Sequence, residues 1–155
     1  MSLIKFFNNF LLLIIVSNSA FSSIVEEKCG EHLYIVQIIN DKDVFETSYN
    51  LFYKKKGQKK ILFYKSESGI HLLAACVQNK SKENLMLFQE FCGGNGCPED
   101  MYGLFNPQTK KILLNPSDYP KGNQKQADRI LGYSTPFLVD DKRSFCCKRK
   151  RSLSN

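Results

Sequence analysis

Histidine is scarce in this chain, with two among 155 residues, His32 and His71. Nothing in the sequence brings them together. There is no G-x-S-x-G, no H-E-x-x-H and no phosphate-binding loop. The best-marked hydrolase, metalloprotease and nucleotide-binding chemistries therefore have no footing. No segment repeats at the roughly 20–50-residue period of solenoids and propellers. Linkers and low-complexity stretches are absent before the C-terminal tail. Long apolar runs are absent too, save one at the extreme N-terminus.

What remains has globular proportions: 43% apolar, 24% charged and 12% aromatic residues. That is room for one domain and one core. The N-terminal run reads as a secretory signal peptide. Lys5 supplies the positive end, Phe10 to Val16 is an unbroken apolar stretch, and small polar residues follow. The small-x-small rule places cleavage after Ser22, with cleavage after Ala20 as the alternative. A membrane span needs about 20 apolar residues, and Asn8 and Asn9 interrupt this one. The expected layout is a signal peptide over 1–22, a single globular domain over 23–141 and a basic segment over 142–155. The destination is outside the cytoplasm.

The formal charge is +7, and Lys5 leaves with the signal. Residues 23–141 carry 15 basic and 15 acidic side chains, which cancel. The excess lies in Lys142, Arg143, Lys148, Arg149, Lys150 and Arg151. A neutral body argues against nucleic-acid binding, which puts the excess on a face of the fold. Lys148, Arg149, Lys150 and Arg151 are the candidate contacts with an anionic envelope surface, against a plainly solvated terminus. A second cluster, Lys54, Lys55, Lys56, Lys59 and Lys60 around Gly57, reads as a hairpin tip. Lysines there stay in water and discourage edge-to-edge pairing.

The body is strand by pattern. Leu33–Ile39 is read as the first strand. Tyr49–Lys55 and Lys59–Lys65 form a hairpin, and Ile70–Val77 and Leu85–Phe91 a second. Met101–Asn106 and Lys110–Asn115 flank a turn that Pro107 initiates. Consecutive strands usually pair with their neighbours. One helix is signed, capped by Asn123 with Gln126 three residues later and closed by Gly132. Its apolar face is Ala127, Ile130 and Leu131. The expected fold is α+β, mainly β: an antiparallel meander sheet with one short C-terminal helix, stapled by disulfides.

All six cysteines follow the signal: Cys29, Cys76, Cys92, Cys97, Cys146 and Cys147. An even count in an exported chain reads as a disulfide framework. Neighbouring cysteines rarely bond to each other, because the small ring strains the peptide between them. Cys92 and Cys97 bracket Gly-Gly-Asn-Gly, a loop flexible enough to bring them together. Cys29 and Cys76 then pair with Cys146 and Cys147, in either order. The same CGGNGC is also spaced like half a zinc site, but it lacks the second half, so no metal and no cofactor are expected. His71 sits in an apolar strand and reads as packed. His32 precedes the first strand and reads as near the surface.

The stretch FCGGNGCPEDMYGLFNPQTKKILLNP resembles a pattern in small exported proteins of Gram-negative bacteria. In that pattern a Cys-Gly-rich-Cys bridge ends one strand, and a strand of the type GIID, a turn resembling PKTGK and an aliphatic strand follow. The matching residues are Cys92 to Cys97, Gly103 to Asn106, Pro107 to Lys111 and Ile112 to Leu114. Lys110 stands where the pattern usually has glycine. The match covers about a fifth of the chain. It implies a periplasmic location, with the extracellular space as the alternative, and non-enzymatic binding, as in inhibitor or immunity proteins that act on a protein partner, and no catalytic residues. The rival expectations are an exported hydrolase or toxin using His32 or His71, and a structural envelope-associated protein.

Overall fold

The computed structural model of the chain describes residues 22–40, 43, 45–92, 101–117 and 122–138. The side chain of Cys92 lies outside that description. Eight strands and one helix follow in order. They are β1 (Ser22–Cys29), β2 (His32–Ile39), β3 (Ser48–Lys55), β4 (Ile61–Lys65), β5 (Ile70–Gln78), β6 (Asn84–Cys92), β7 (Met101–Asn106), β8 (Lys111–Leu114) and α1 (Gln124–Leu131). The fold is mainly β with one short helix, as the pattern predicts. The single meander is in fact two. Strands β1-β2-β3-β4 form one antiparallel sheet and β5-β6-β7-β8 another. The turn between β4 and β5 is the break, and Gly69 sits in it at φ 78°.

The two sheets pack face to face, for a reason visible strand by strand. Successive side chains alternate across a strand. Tyr34, Val36 and Ile38 of β2 and Tyr49, Leu51 and Tyr53 of β3 point inward, and all are buried. They meet Leu72 and Ala74 of β5, Met86 and Phe88 of β6 and Phe105 of β7. A register irregularity in the β3–β4 pairing, between Leu51 and Phe52, lets both Phe63 and Tyr64 reach this core. Phe63 stacks on Phe105 with centroids 4.0 Å apart, and Tyr64 meets Phe88 at 4.7 Å.

The other face of the second sheet carries Ala75, Leu85, Leu87, Tyr102 and Leu104. Ala127 and Leu131 of α1, with Leu138, cover it. This makes three layers: sheet, sheet, helix. Strand β6 is covered on both faces, so Leu85 to Glu90 are buried without a break. Gly132 closes α1 at φ 79° and donates its N–H to Asp128 O at 2.7 Å. Asn123 stands at the N-terminus as expected, yet its side chain makes no capping bond. Its Oδ1 accepts from Tyr102 N at 2.7 Å, and its Nδ2 donates to Tyr102 O and Asn115 O. The amide is used as a peptide group that ties the helix to β7.

The expected pairing of Cys29 and Cys76 with Cys146 and Cys147 is corrected: Cys29 is bonded to Cys76, with α-carbons 5.5 Å apart. The cause is β1, which the sequence reading did not assign. It adds an edge strand to the first sheet, and its last residue faces inward against β5, an edge of the second sheet. The bond therefore closes one side of the sandwich. Bonding of Cys97, Cys146 and Cys147, the side chain of Cys92, and the tail cations lie outside the described residues.

Two outcomes test this packing. A loop closed by a sequence separation of 47 constrains the unfolded chain substantially. Replacing Cys29 and Cys76 together by alanine should therefore lower the unfolding free energy by about 2–4 kcal/mol in denaturant titration. Non-reduced peptide mapping should recover Cys29 linked to Cys76. The second outcome concerns Gly103, which lies directly opposite Phe88. A β-carbon at Gly103 would collide with the Phe88 ring. Gly103→Ala should cost about 1–3 kcal/mol of stability by equilibrium unfolding, because the ring must leave its place between the sheets.

Candidate functional site

At one end of the sandwich the gap between the sheets opens into a cleft of about 520 Å³. Its walls follow from the register. Across the first sheet, Cys29 pairs with His32 and His32 with Lys55, so these three share the inner face. One row further in, Tyr34 pairs with Tyr53. His32, Tyr53 and Lys55 form one wall, and Gly30, Glu31 and Gln58 come from the adjoining turns. Asn84 of β6 and Pro107, Gln108 and Lys110 of the β7–β8 turn form the other.

The local sequence dictates these turns. Cys29-Gly30-Glu31-His32 is a two-residue hairpin, and Gly30 at φ 60° occupies its first central position. Asn106 accepts hydrogen bonds at Oδ1 from the N–H groups of Gln108 and Thr109, at 2.9 and 3.1 Å. Such an Asn-headed turn is favoured by its own side chain. Lys110 follows at φ 58°, in the left-handed region where glycine is the easier residue. Lys110 lies on the lip of the cleft.

The electrostatics of the cleft are uneven. Lys55 Nζ lies 2.7 Å from Glu31 Oε2, with the two side chains 50% and 74% exposed. The lysine holds the Glu31 carboxyl below its usual range through hydrogen bonding and charge. Burial holds the His32 imidazole below its ordinary value of 6.5, and the Lys55 cation adds to the effect. His32 is 8% exposed and Tyr53 4%. The Nδ1 of His32 and the hydroxyl of Tyr53 are buried and have no hydrogen-bond partner. Their rings lie 6.2 Å apart.

The structure corrects both histidine expectations. His32 is the first residue of β2 and is buried, because β1 adds a strand before it. His71 is exposed on β5, not packed in the core, because it sits on the solvent side near the strand's start. His71 is five residues from Cys76, the partner of Cys29, and Cys29 lies opposite His32. At about 3.3 Å per residue the two histidines are well apart. They are not brought together. Lys56, Lys59 and Lys60 are exposed on the hairpin turn as expected, whereas Lys55 is drawn into the cleft.

A buried acid also escaped the sequence reading. Tyr64 donates its O–H to Glu90 Oε1 at 2.8 Å. Burial pushes the Glu90 carboxyl up from its ordinary value, against the lowering effect of that hydrogen bond. No sequence signal marks Glu90, because its burial comes from the second sheet's face. No group of acidic, histidine or cysteine side chains suited to a metal ion occurs among the described residues. Likewise, no helix among them is long and apolar enough to cross a membrane. Comparison of the chain with known protein families, characterised proteins and solved structures gives no match in any of the three.

The depressed His32 value gives a signed pH dependence. In the unfolded chain the imidazole takes up a proton near pH 6.5, and in the fold only below that. Stability is therefore complete above pH 6.5 and is lost as pH falls through the folded value. The melting temperature of the wild type should drop between pH 7.5 and 5 by more than that of His32→Gln. Parallel profiles would show that His32 gains its proton equally well in both states.

Proposed function

We propose that the protein is an exported, disulfide-stabilised binding protein without catalysis of its own, engaging its partner through the end cleft. The observation that carries this reading is that, of four side-chain atoms buried without a partner among the described residues (His32 Nδ1, the Tyr34 and Tyr53 hydroxyls and Asn50 Oδ1), two belong to residues of the cleft wall, His32 and Tyr53. Buried polar groups normally find partners, and an unmade hydrogen bond costs about 1–3 kcal/mol. Both residues line the cleft with their rings 6.2 Å apart, so a partner that enters and opens the wall can supply the hydrogen bonds that these groups lack.

Catalysis by histidine has less support. A catalytic base is ordinarily oriented by a third group, and His32 Nδ1 has none. His71 stands apart on an exposed strand face. The periplasm, or the extracellular space, supports a Cys29–Cys76 bond better than a reducing compartment does. An inhibitor or immunity role on a protein partner is consistent with a recognition cleft walled by short, disulfide-anchored hairpins. The basic tail serves as a weak, salt-sensitive tether to an anionic envelope. Nucleic acid is not the partner, because the excess charge belongs to the tail.

The test uses the mature full-length chain. A partner recovered from the exported fraction should bind His32→Gln and Tyr53→Phe at least about tenfold more weakly, which is roughly 1.4 kcal/mol. Both variants should remain folded by circular dichroism. Undiminished capture by both would remove the cleft from the function. Hydrolytic activity abolished by His32→Gln would replace binding with catalysis.

A further inference from the structure

We propose that the end cleft is an oxyanion-recognition site, held in the free protein by the chain's own Glu31, and that a ligand carboxylate or phosphate group displaces Glu31 from Lys55. This rests on the reading of the cleft as the binding site and names the chemistry that it takes.

The argument begins with the two orphaned groups. His32 and Tyr53 are each more than nine-tenths buried, and both line the cleft. A tyrosine hydroxyl donates, and Nδ1 of a neutral imidazole donates in the tautomer that carries its proton there, which an oxyanion in the cleft would select. Such donors suit the lone pairs of an oxyanion. Two cations, Lys55 and Lys110, complete the wall. The lysines of the adjoining hairpin, Lys56, Lys59 and Lys60, are exposed and extend the positive field beyond it.

Glu31 is the one carboxylate in the lining, and it already sits on Lys55. Half or more of each partner is in water, so the pair holds weakly and exchanges readily. The carboxylate thus shows what the cation accepts while leaving the deeper donors unmet. An incoming oxyanion takes both: the Lys55 ammonium at the mouth and the Tyr53 and His32 groups within. Lys110 adds a second cation on the opposite lip.

The probes are inorganic phosphate and glutarate, titrated separately at constant ionic strength into the mature full-length protein. The readout is the His32 imidazole resonances in heteronuclear NMR. At least one anion should shift them in a saturable way, and the comparison of the two distinguishes a phosphate from a carboxylate ligand. Glu31→Gln should bind the preferred anion at least about threefold more tightly, since it removes the internal competitor. Lys55→Gln and Lys110→Gly should weaken binding at least about fivefold. Lys59→Gln, on the exposed turn outside the lining, should change it by less than about twofold.

Unmoved His32 resonances with both anions would overturn the proposal. So would a Glu31→Gln affinity no higher than that of the wild type. An equal loss in Lys59→Gln and Lys55→Gln would reduce the effect to diffuse charge and overturn it as well. If a neutral disaccharide shifts His32 and the anions do not, the oxyanion chemistry fails and the cleft survives as a binding site. If a captured partner ignores His32→Gln and Tyr53→Phe, the binding-site reading itself fails.

Discussion

The whole structure hangs on the packing of aromatic rings between the two sheets, and on the missing side chain that admits one of them. Phe88 lies across the strand from Gly103, and its ring occupies the space that a β-carbon would need. From there it touches Tyr64 and Phe63, and Phe63 stacks on Phe105. Tyr53 joins the same group through Phe105 at 4.8 Å. Aromatic side chains bury large areas, and their tilted and offset contacts add to that burial. These rings come from both sheets, so neither sheet holds its inner face without the other.

The end cleft is a consequence of that packing. Tyr53 ends the aromatic group and begins the cleft wall. Beyond it the inner-face positions of the first sheet become His32 and Lys55, which do not fill space as phenylalanine does. Short turns frame the opening at this end. The Cys29–Cys76 bond sits in the same inner-face row as His32 and fixes the two sheet edges beside it. The rigid part of the molecule thus ends where its polar recognition groups begin. A site supported by packed strands and a covalent link holds its donors in place without a ligand.

The third layer has a different role. Helix α1 is two turns long and has little stability alone. It is held by Ala127 and Leu131 against the second sheet and by the Asn123 amide on β7. Leu138 N donates to the buried Gln89 Oε1 at 2.9 Å, which extends this cover along β6. Phe137 meets Phe91 edge-on beside it. Residues 133–138 thus run along the far face of the second sheet, away from the inter-sheet gap.

The sequence by itself determined strands β2 to β8, the hairpins β3–β4, β5–β6 and β7–β8, and the helix. Alternation of apolar residues, the turn chemistry of Gly57 and Pro107, and the stop at Gly132 are local properties and are readable locally. It also separated a neutral body from a basic end, because charge is counted without coordinates. Only the tertiary structure decided that the meander folds into two sheets, since Ser66–Gly69 reads like any other turn. Only it decided the partner of Cys29, because that choice depends on β1, whose Glu26, Glu27 and Lys28 blur the alternation of an edge strand. The cleft belongs to the same class. His32, Tyr53 and Lys55 are joined by strand register, and Asn84 and Lys110 are brought opposite them by the packing of the second sheet on the first. Register is set by long-range packing of the sheet faces, and no short window of sequence contains it.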